Sequence, residues 1–129
     1  MNSIEVNNLT KSFGAFTAVN DISFTIGKGQ VFGFLGANGA GKTTTIRMLC
    51  GILTPTSGNA SVGGFDITKE SNRVKNIIGY MSQRFSLYND LTVEENINFF
   101  GGVYGLGGAL FVERKKWVLS IANLEGKQN

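Results

Sequence analysis

The sequence predicts an α/β fold, and three observations indicate it. Residues 36–43 read Gly-Ala-Asn-Gly-Ala-Gly-Lys-Thr, which fits the phosphate-binding template Gly-x4-Gly-Lys-Ser/Thr at every fixed position. An apolar run at 31–35 leads into this loop and a helix-like run at 44–50 leads out of it. Two earlier stretches, 4–13 and 16–26, alternate loosely between apolar and polar residues. We therefore expect a phosphate-loop core preceded by an antiparallel β-sheet.

The residue types of the loop suit the phosphates of a nucleotide. Gly36, Gly39 and Gly41 have no Cβ atom, so the backbone can turn with positive φ and bring its N–H groups close to phosphate oxygens. The helix that follows points its unpaired N–H groups at the same anion. Lys42 supplies a mobile charge for the β- and γ-phosphates, and Thr43 supplies a hydroxyl for Mg²⁺. The alternative is a glycine-rich turn that binds nothing.

The elements before the loop follow from alternation and turn residues. Residues 4–13 and 16–26 are predicted as antiparallel strands joined by a turn at 13–16. A second turn at 27–29 leads to residues 30–35, which we expect to form the buried strand that delivers the phosphate loop.

The elements after the loop alternate between helix and strand. The helix that follows Lys42 is predicted to end near Gly51, because glycine favours a helix end and Pro55 prevents continuation. The next predictions are a strand and turn at 57–64, an extended piece at 65–67, a polar helix at 70–75 and a second core strand at 77–81. This order predicts a parallel α/β core.

The C-terminal third is predicted to be helical. Thr92 is a good N-cap for a helix at 93–104, which glycines at 101–102 and 105–108 are expected to interrupt. A second helix at 111–124 is amphipathic, and Trp117 is expected to pack on its apolar face. The residues predicted to share that face are Phe111, Val118, Ile121, Ala122 and Leu124.

Composition excludes several classes of protein. The 129 residues suffice for one domain, and 42% hydrophobic with 16% charged residues is typical of a globular chain. No run approaches the ~18 apolar residues of a membrane span, and the N-terminus lacks the regions of a signal peptide, so we expect a cytoplasmic protein. The scattered net charge of +3 predicts no nucleic-acid partner. The single Cys50 is expected to be a small core residue, and the absence of histidine excludes histidine bases and ligands.

The order of these pieces resembles the nucleotide-binding subunit of ATP-binding cassette (ABC) transporters of the bacterial drug-export or lipid-export type. The resemblance rests on residues 9–14, 36–43, 54–66 and 78–95 and covers most of residues 3–104. It implies the cofactors ATP and Mg²⁺, a transmembrane transporter subunit and a second ATP-binding subunit as partners, and a place at the inner face of the cell membrane. The phosphate-binding residues it implies are Gly36, Asn38, Gly39, Ala40, Gly41, Lys42, Thr43 and Thr44.

Two further positions match the family. Phe13 matches the aromatic residue that stacks on adenine, and such stacking contributes roughly 1–3 kcal/mol without reading the base. From the residues alone, a strand aromatic that packs on the core is the favoured interpretation of Phe13, and the family match reverses that preference. Gln83 matches the lid glutamine that contacts Mg²⁺ or the attacking water, and residues 83–98 match the region that faces the membrane subunit. The resemblance thus implies catalytic roles for Lys42 and Gln83, and metal contacts for Thr43 and Gln83.

The resemblance also implies an incomplete domain. Its parts would be an antiparallel β part at 1–30, the phosphate-loop core at 31–84 and the start of a helical subdomain at 85–129. No aspartate follows four apolar residues of a strand, as ATP hydrolysis requires, and the signature Leu-Ser-Gly-Gly-Gln is absent. We expect an N-terminal part of the subunit that binds nucleotide with negligible turnover, and whose unpaired strand edges favour self-association.

Three alternatives are open at this point. One is an ABC-type ATPase that acts on ribosomes or DNA. Another is an unrelated phosphate-loop kinase or GTPase, although the guanine reader Asn-Lys-x-Asp is absent. The third is a structural fragment that binds no nucleotide, because a fold does not determine a function.

Overall fold

The computed structural model describes residues 2–82, 87–127 and 129. They divide into two compact units, Met1–Gly79 and Tyr80–Asn129. The first unit holds a sheet and two short helices, and the second holds two further helices. Across the described ranges, no helix is long and apolar enough to cross a membrane.

The first unit is built on a four-stranded antiparallel sheet with the strand order β2-β1-β3-β4. The strands are β1 (Asn2–Phe13), β2 (Phe16–Gly27), β3 (Ser57–Val62) and β4 (Phe65–Asp66). Strands β1 and β2 form a hairpin that closes at the pair Phe13 and Phe16. Gly14 has φ +59° at the first position of the two-residue turn, where a hairpin turn favours glycine. The predicted N-terminal antiparallel sheet is confirmed.

Two residues with left-handed backbone face each other in this hairpin. Asn8 has φ +49° and Asp21 has φ +51°, and the strand register shifts on both sides of Leu9. The Nδ2 atom of Asn8 donates to Oδ1 of Asp21 at 2.8 Å. Such irregularities bend and twist a strand pair locally. Asn and Asp are the non-glycine residues that best tolerate this conformation.

The core of the first unit lies between the sheet and two helices, α1 (Lys42–Leu49) and α2 (Ser71–Ile77). Leu9 of β1, Met48 of α1 and Val74 of α2 are fully buried. The other buried members of this cluster are Val6, Val19, Leu49, Ala60, Val62 and Ile67. The predicted helices near 42–51 and 70–75 are confirmed. The spacing of apolar residues along each strand and helix explains which of its faces is buried.

The prediction of a buried strand at 30–35 is wrong. In the described part of the chain these residues belong to no helix or strand, and Val31 and Leu35 are fully exposed. One side of the segment packs nonetheless, since the Phe32 and Phe34 rings lie 5.2 and 5.6 Å from the ring of Phe24 in β2. A parallel strand is stable only when neighbouring strands pair with it, and the described sheet has none beside this segment.

The second predicted core strand, at 77–81, is also wrong. Ile77 is the last residue of α2, and residues 78–81 lie outside any helix or strand. Tyr80 is half exposed and Met81 is 91% exposed. A short apolar run predicts a buried strand only where a sheet is present to receive it.

The second unit contains helices α3 (Val93–Val103) and α4 (Gly108–Ile121). Thr92 caps α3 in a reciprocal arrangement, because its hydroxyl accepts from the Glu95 amide at 3.2 Å while the Glu95 carboxylate accepts from the Thr92 amide at 2.8 Å. The predicted N-cap is confirmed. The Lys115 ammonium of α4 pairs with the Glu94 carboxylate of α3 and fixes the two helices side by side.

Three details of these helices differ from prediction. Gly101 and Gly102 lie inside α3, and a Cβ atom at Gly101 would overlap the Phe111 ring, so glycine there allows close helix packing. Helix α4 begins at Gly108, earlier than the expected 111. Trp117 is 57% exposed, and Leu119 is the buried residue of that helix. A short apolar pattern defines which side of a helix is buried only to within about one residue.

A buried amide organises the segment before α3. The Nδ2 atom of Asn96 donates to the carbonyl oxygens of Tyr88 at 3.0 Å, Leu91 at 3.1 Å and Thr92 at 3.0 Å. Its Oδ1 atom accepts from the Tyr88 amide at 2.9 Å. Asn96 therefore links the backbone of residues 88–92 to the first turn of α3, and it adds to the bond that the Tyr88 carbonyl already accepts from the Leu91 amide.

Candidate functional site

The phosphate-type loop lies between the extended segment 30–35 and helix α1. Gly39 and Gly41 have φ +85° and +83°, in the left-handed region that glycine adopts without strain. The Ala40 amide donates to the Ala37 carbonyl at 3.2 Å and closes a turn in the middle of the loop. In helix α1, the first amide that donates to a backbone carbonyl is that of Thr45, which bonds to the Gly41 carbonyl at 2.8 Å. The earlier amides of α1 have no carbonyl one turn back, which is the arrangement that accepts an anion.

Strand β2 holds the end of the loop. A Cβ atom at Gly41 would overlap the carbonyl oxygen of Ala18 and lie 3.1 Å from Cγ2 of Val19. Glycine is therefore required at 41 both by its φ angle and by this close approach of β2. The Thr45 hydroxyl, which is buried, donates to the Gly41 carbonyl at 2.9 Å and ties the same point to α1.

The Lys42 ammonium lies over the beginning of the loop. Its Nζ atom donates to the Gly36 carbonyl and to the Ala37 carbonyl, the latter at 3.0 Å. A lysine on a flexible stem can exchange carbonyl oxygens for phosphate oxygens at little cost, because both are hydrogen-bond acceptors. Thr43, the next residue, is exposed, and Thr44 is half-buried.

Phe13 lies at the end of the β1–β2 hairpin and its side chain is 50% exposed. The Lys11 ammonium lies over one face of the ring, 5.1 Å from its centroid. Phe13 is paired with Phe16, and Ala18, which touches the loop at Gly41, comes two residues later on β2, about 7 Å along the strand. The predicted ring and the predicted loop thus belong to one unit and are joined through β2.

A pocket of about 460 Å3 lies between the inner side of β2 and the loop. Its wall on the loop side includes Ala40, Gly41 and Lys42, and its apolar wall includes Phe34. The residues of β2 that line it are Ala18, Val19, Asn20, Ile22, Ser23 and Phe24. The loop is therefore accessible from the side of β2.

Comparison with known proteins decides the family. The model of the ABC transporter family matches residues 19–129. The chain belongs to the ABC transporter family. The predicted resemblance and the predicted fold class are thereby confirmed. A solved structure described as an ATP binding subunit of an ABC transporter superposes with a TM-score of 0.85 at 29% identity, over 97% of this chain and 52% of that one.

Curated ABC transporter proteins are similar over most of the chain. A probable multidrug ABC transporter ATP-binding protein, YbhF of Escherichia coli (strain K12), is 53% identical over 105 residues, which are 81% of this chain and 18% of YbhF. The linearmycin resistance ATP-binding protein LnrL of Bacillus subtilis (strain 168) is 43% identical over 121 residues, which are 94% of this chain and 39% of LnrL. The chain thus spans well under half the length of these relatives.

Three other features of the ABC transporter pattern are Gln83, the region 83–98 and an acidic residue after four apolar residues. Gln83 lies outside the described residues. Of the region 83–98, the described part begins at Leu87, and Leu87 and Tyr88 are half exposed. Glu113 follows four apolar residues, but these lie in helix α4 and not in a strand. Among the described residues no cluster of three Cys, Asp or Glu side chains could hold a metal ion.

Two titratable groups of the first unit have shifted pKa values. The amides of Lys69 and Thr68 donate to Oδ1 of Asp66, each at 2.8 Å, and lower the pKa of that carboxyl. Burial raises the pKa of the Cys50 thiol, which therefore stays protonated at neutral pH. Cys50 is half-buried, so it is only partly a core residue, whereas the sequence predicts a core residue.

Ala18 and Lys11 contribute to this site, and sequence reasoning missed both. Ala18 contributes a backbone oxygen, which any residue type carries, so no residue pattern could indicate it. Lys11 lies two residues before Phe13, a spacing that places both side chains on the same face of a strand. That spacing was a usable signal for Lys11.

Proposed function

We propose that this chain is the ATP-binding part of an ABC transporter ATPase and that it binds MgATP at the loop 36–44. The observation that carries the proposal is the loop itself, whose last glycine is locked against β2 and whose following helix has its first bonded amide only at Thr45. A loop held in this shape has already lost the conformational entropy that binding would otherwise cost.

Each loop residue has a proposed role. The backbone amides of Gly36, Asn38, Gly39, Ala40 and Gly41 surround the phosphates, together with the amides at the start of α1, and the Ala40 amide exchanges the Ala37 carbonyl for a phosphate oxygen. The Lys42 ammonium leaves the Gly36 and Ala37 carbonyls and pairs with the β- and γ-phosphates. Thr43 places its hydroxyl on Mg²⁺, Thr44 adds an amide to the phosphates, and the half-exposed ring of Phe13 stacks on adenine.

Hydrolysis is proposed to be negligible in this chain. ATP hydrolysis in this family needs an aspartate after four apolar strand residues and a neighbouring glutamate to orient water. No such pair is present in the sequence. Lys42 and Gln83 would serve catalysis only in the whole protein, where Gln83 would also contact Mg²⁺.

The whole protein is proposed to power export through a separate membrane subunit. Relatives whose names include multidrug transport, linearmycin resistance and Nod factor export support an export role. We propose that residues 83–98 face the membrane subunit at the inner face of the membrane, and that a second ATP-binding subunit completes the site. Parts 1–30, 31–84 and 85–129 would be the β part, the core and the start of the helical subdomain.

Calorimetric titration of MgATP into the 129-residue chain tests the proposal. We expect Mg²⁺-dependent binding that Lys42→Ala weakens about ten- to hundredfold, as the loss of a charge-assisted bond predicts. Lys28→Ala removes the same charge from an exposed turn and should leave the affinity unchanged. Absence of binding, or equal losses in both variants, would contradict the proposed function. ATP turnover that Lys42→Ala abolishes would contradict the claim of negligible hydrolysis.

A further inference from the structure

The Lys11 side chain is held in a defined position beside Phe13. Its Nζ atom donates to the carbonyl oxygen of Thr54 at 2.7 Å and lies 5.1 Å from the centroid of the Phe13 ring. Both contacts come from one ammonium group. Lys11 is half-buried, unlike a lysine that extends into solvent.

The acceptor of this bond is itself fixed. The segment that carries Thr54 continues to Thr56, whose amide donates to the Thr10 carbonyl at 2.8 Å. The Ser12 amide in turn donates to the Thr56 hydroxyl at 3.0 Å. Residues on both sides of Lys11 are thus bonded to the segment that accepts from Lys11, so the ammonium has little freedom to leave the ring.

We propose that Lys11 is a positioning residue that holds the Phe13 ring and reserves one face of it for a nucleotide base. This inference rests on the proposed function. An ammonium above an aromatic face is attracted to the ring and orients it. With one face covered by Lys11 and half of the side chain exposed, the base stacks on the other face. A ring oriented in advance loses less rotational freedom when the base binds.

Lys11 has a second conceivable role, direct attraction of the phosphates, and the two roles predict different results. A lysine that acts through the Phe13 ring affects only ligands that carry a base. A lysine that acts through its charge affects every ligand that carries phosphates. Inorganic tripolyphosphate has the phosphates without the base and therefore distinguishes the roles.

The test titrates MgATP and magnesium tripolyphosphate into the 129-residue chain and its variants. We expect Lys11→Met to weaken MgATP binding about two- to fivefold, the range of a surface cation–π contact, and to leave tripolyphosphate binding unchanged. Lys11→Arg should restore the affinity for MgATP. In a Phe13→Ala background, Lys11→Met should have no further effect, because the two side chains act as one unit. Lys28→Met is the matched control for the loss of charge and should change neither ligand.

Several results would overturn this inference. Equal weakening of MgATP and tripolyphosphate by Lys11→Met would show direct attraction of phosphate. Additive losses in the double variant would show that Lys11 does not act through Phe13. Failure of the unmodified chain to bind either ligand would overturn the proposed function and this inference together, whereas tripolyphosphate binding with no preference for MgATP would overturn only the base-stacking role.

Discussion

The carbonyl oxygen of Ala18 occupies the space that a side chain at Gly41 would need. Through this contact the second strand of the N-terminal sheet supports the end of the loop 36–44. The loop is thus shaped from outside as well as by its own glycines. The effect of this contact can be separated from backbone strain because Gly39 has a similar φ of +85° but open space where a Cβ atom would lie.

Substitution of the two loop glycines should distinguish these effects. Gly39→Ala, at φ +85° with open space around it, should lower the free energy of unfolding by about 1–2 kcal/mol through backbone strain alone. Gly41→Ala adds the overlap with Ala18 to a similar φ, and should cost about 2–5 kcal/mol in total. Urea denaturation of both variants measures the difference. Equal costs would show that β2 moves aside freely.

Asn96 should be essential to the second unit. Asn96→Ala removes the acceptor of the Tyr88 amide and the bonds from the buried Asn96 side chain to the carbonyls of residues 88–92, and we expect a loss of about 1–3 kcal/mol. Asn98→Ala removes only an exposed bond that Lys115 donates to the Asn98 side chain at 3.1 Å, and should stay within about 0.5 kcal/mol of the unmodified chain. Amide hydrogen exchange at Tyr88 reports the effect locally, and unchanged protection in Asn96→Ala would contradict this role.

Asp66 should make the first unit sensitive to acid. Because backbone amides lower the pKa of its carboxyl in the folded state, its ionised form contributes stability above the ordinary pKa of 3.8, and this contribution is lost as the pH falls through the folded-state value. Asp66→Asn should therefore flatten the decline in stability below pH 3.8. Thermal unfolding of both proteins at several acidic pH values measures the slopes. Parallel slopes would rule out Asp66 as a source of the decline.

Local features could be predicted from the sequence. The loop 36–43, the helix that begins at Lys42 and the Thr92 N-cap each depend on residues within a few positions of one another, and the structure has all three. The hairpin of β1 and β2 could be predicted for the same reason, since its alternating strands flank a glycine turn.

Features that depend on distant partners could not be predicted in this way. The apolar segment at 30–35 has the composition of a core strand, but strand formation needs a neighbouring strand, and in the described residues Phe32 and Phe34 pack on Phe24 instead. The burial of Asn96 depends on a turn whose carbonyls all converge on one point. The contact of Ala18 with Gly41 depends on how far β2 extends past the hairpin turn.

The hydrogen-bonded pair Asn8 and Asp21 marks one end of a hairpin segment whose other end is the pair Phe13 and Phe16. Five positions separate Asn8 from Phe13 on one strand, and five separate Phe16 from Asp21 on the other. The number of residues between this pair and the hairpin turn therefore helps to set where the Phe13 ring lies. An inserted or deleted residue in either arm would add to the register shifts already present between Leu9 and Ser12 and would move Phe13 relative to Ala18, whereas a replacement that keeps the length would not. For this hairpin, spacing should matter more than the identity of most residues along it.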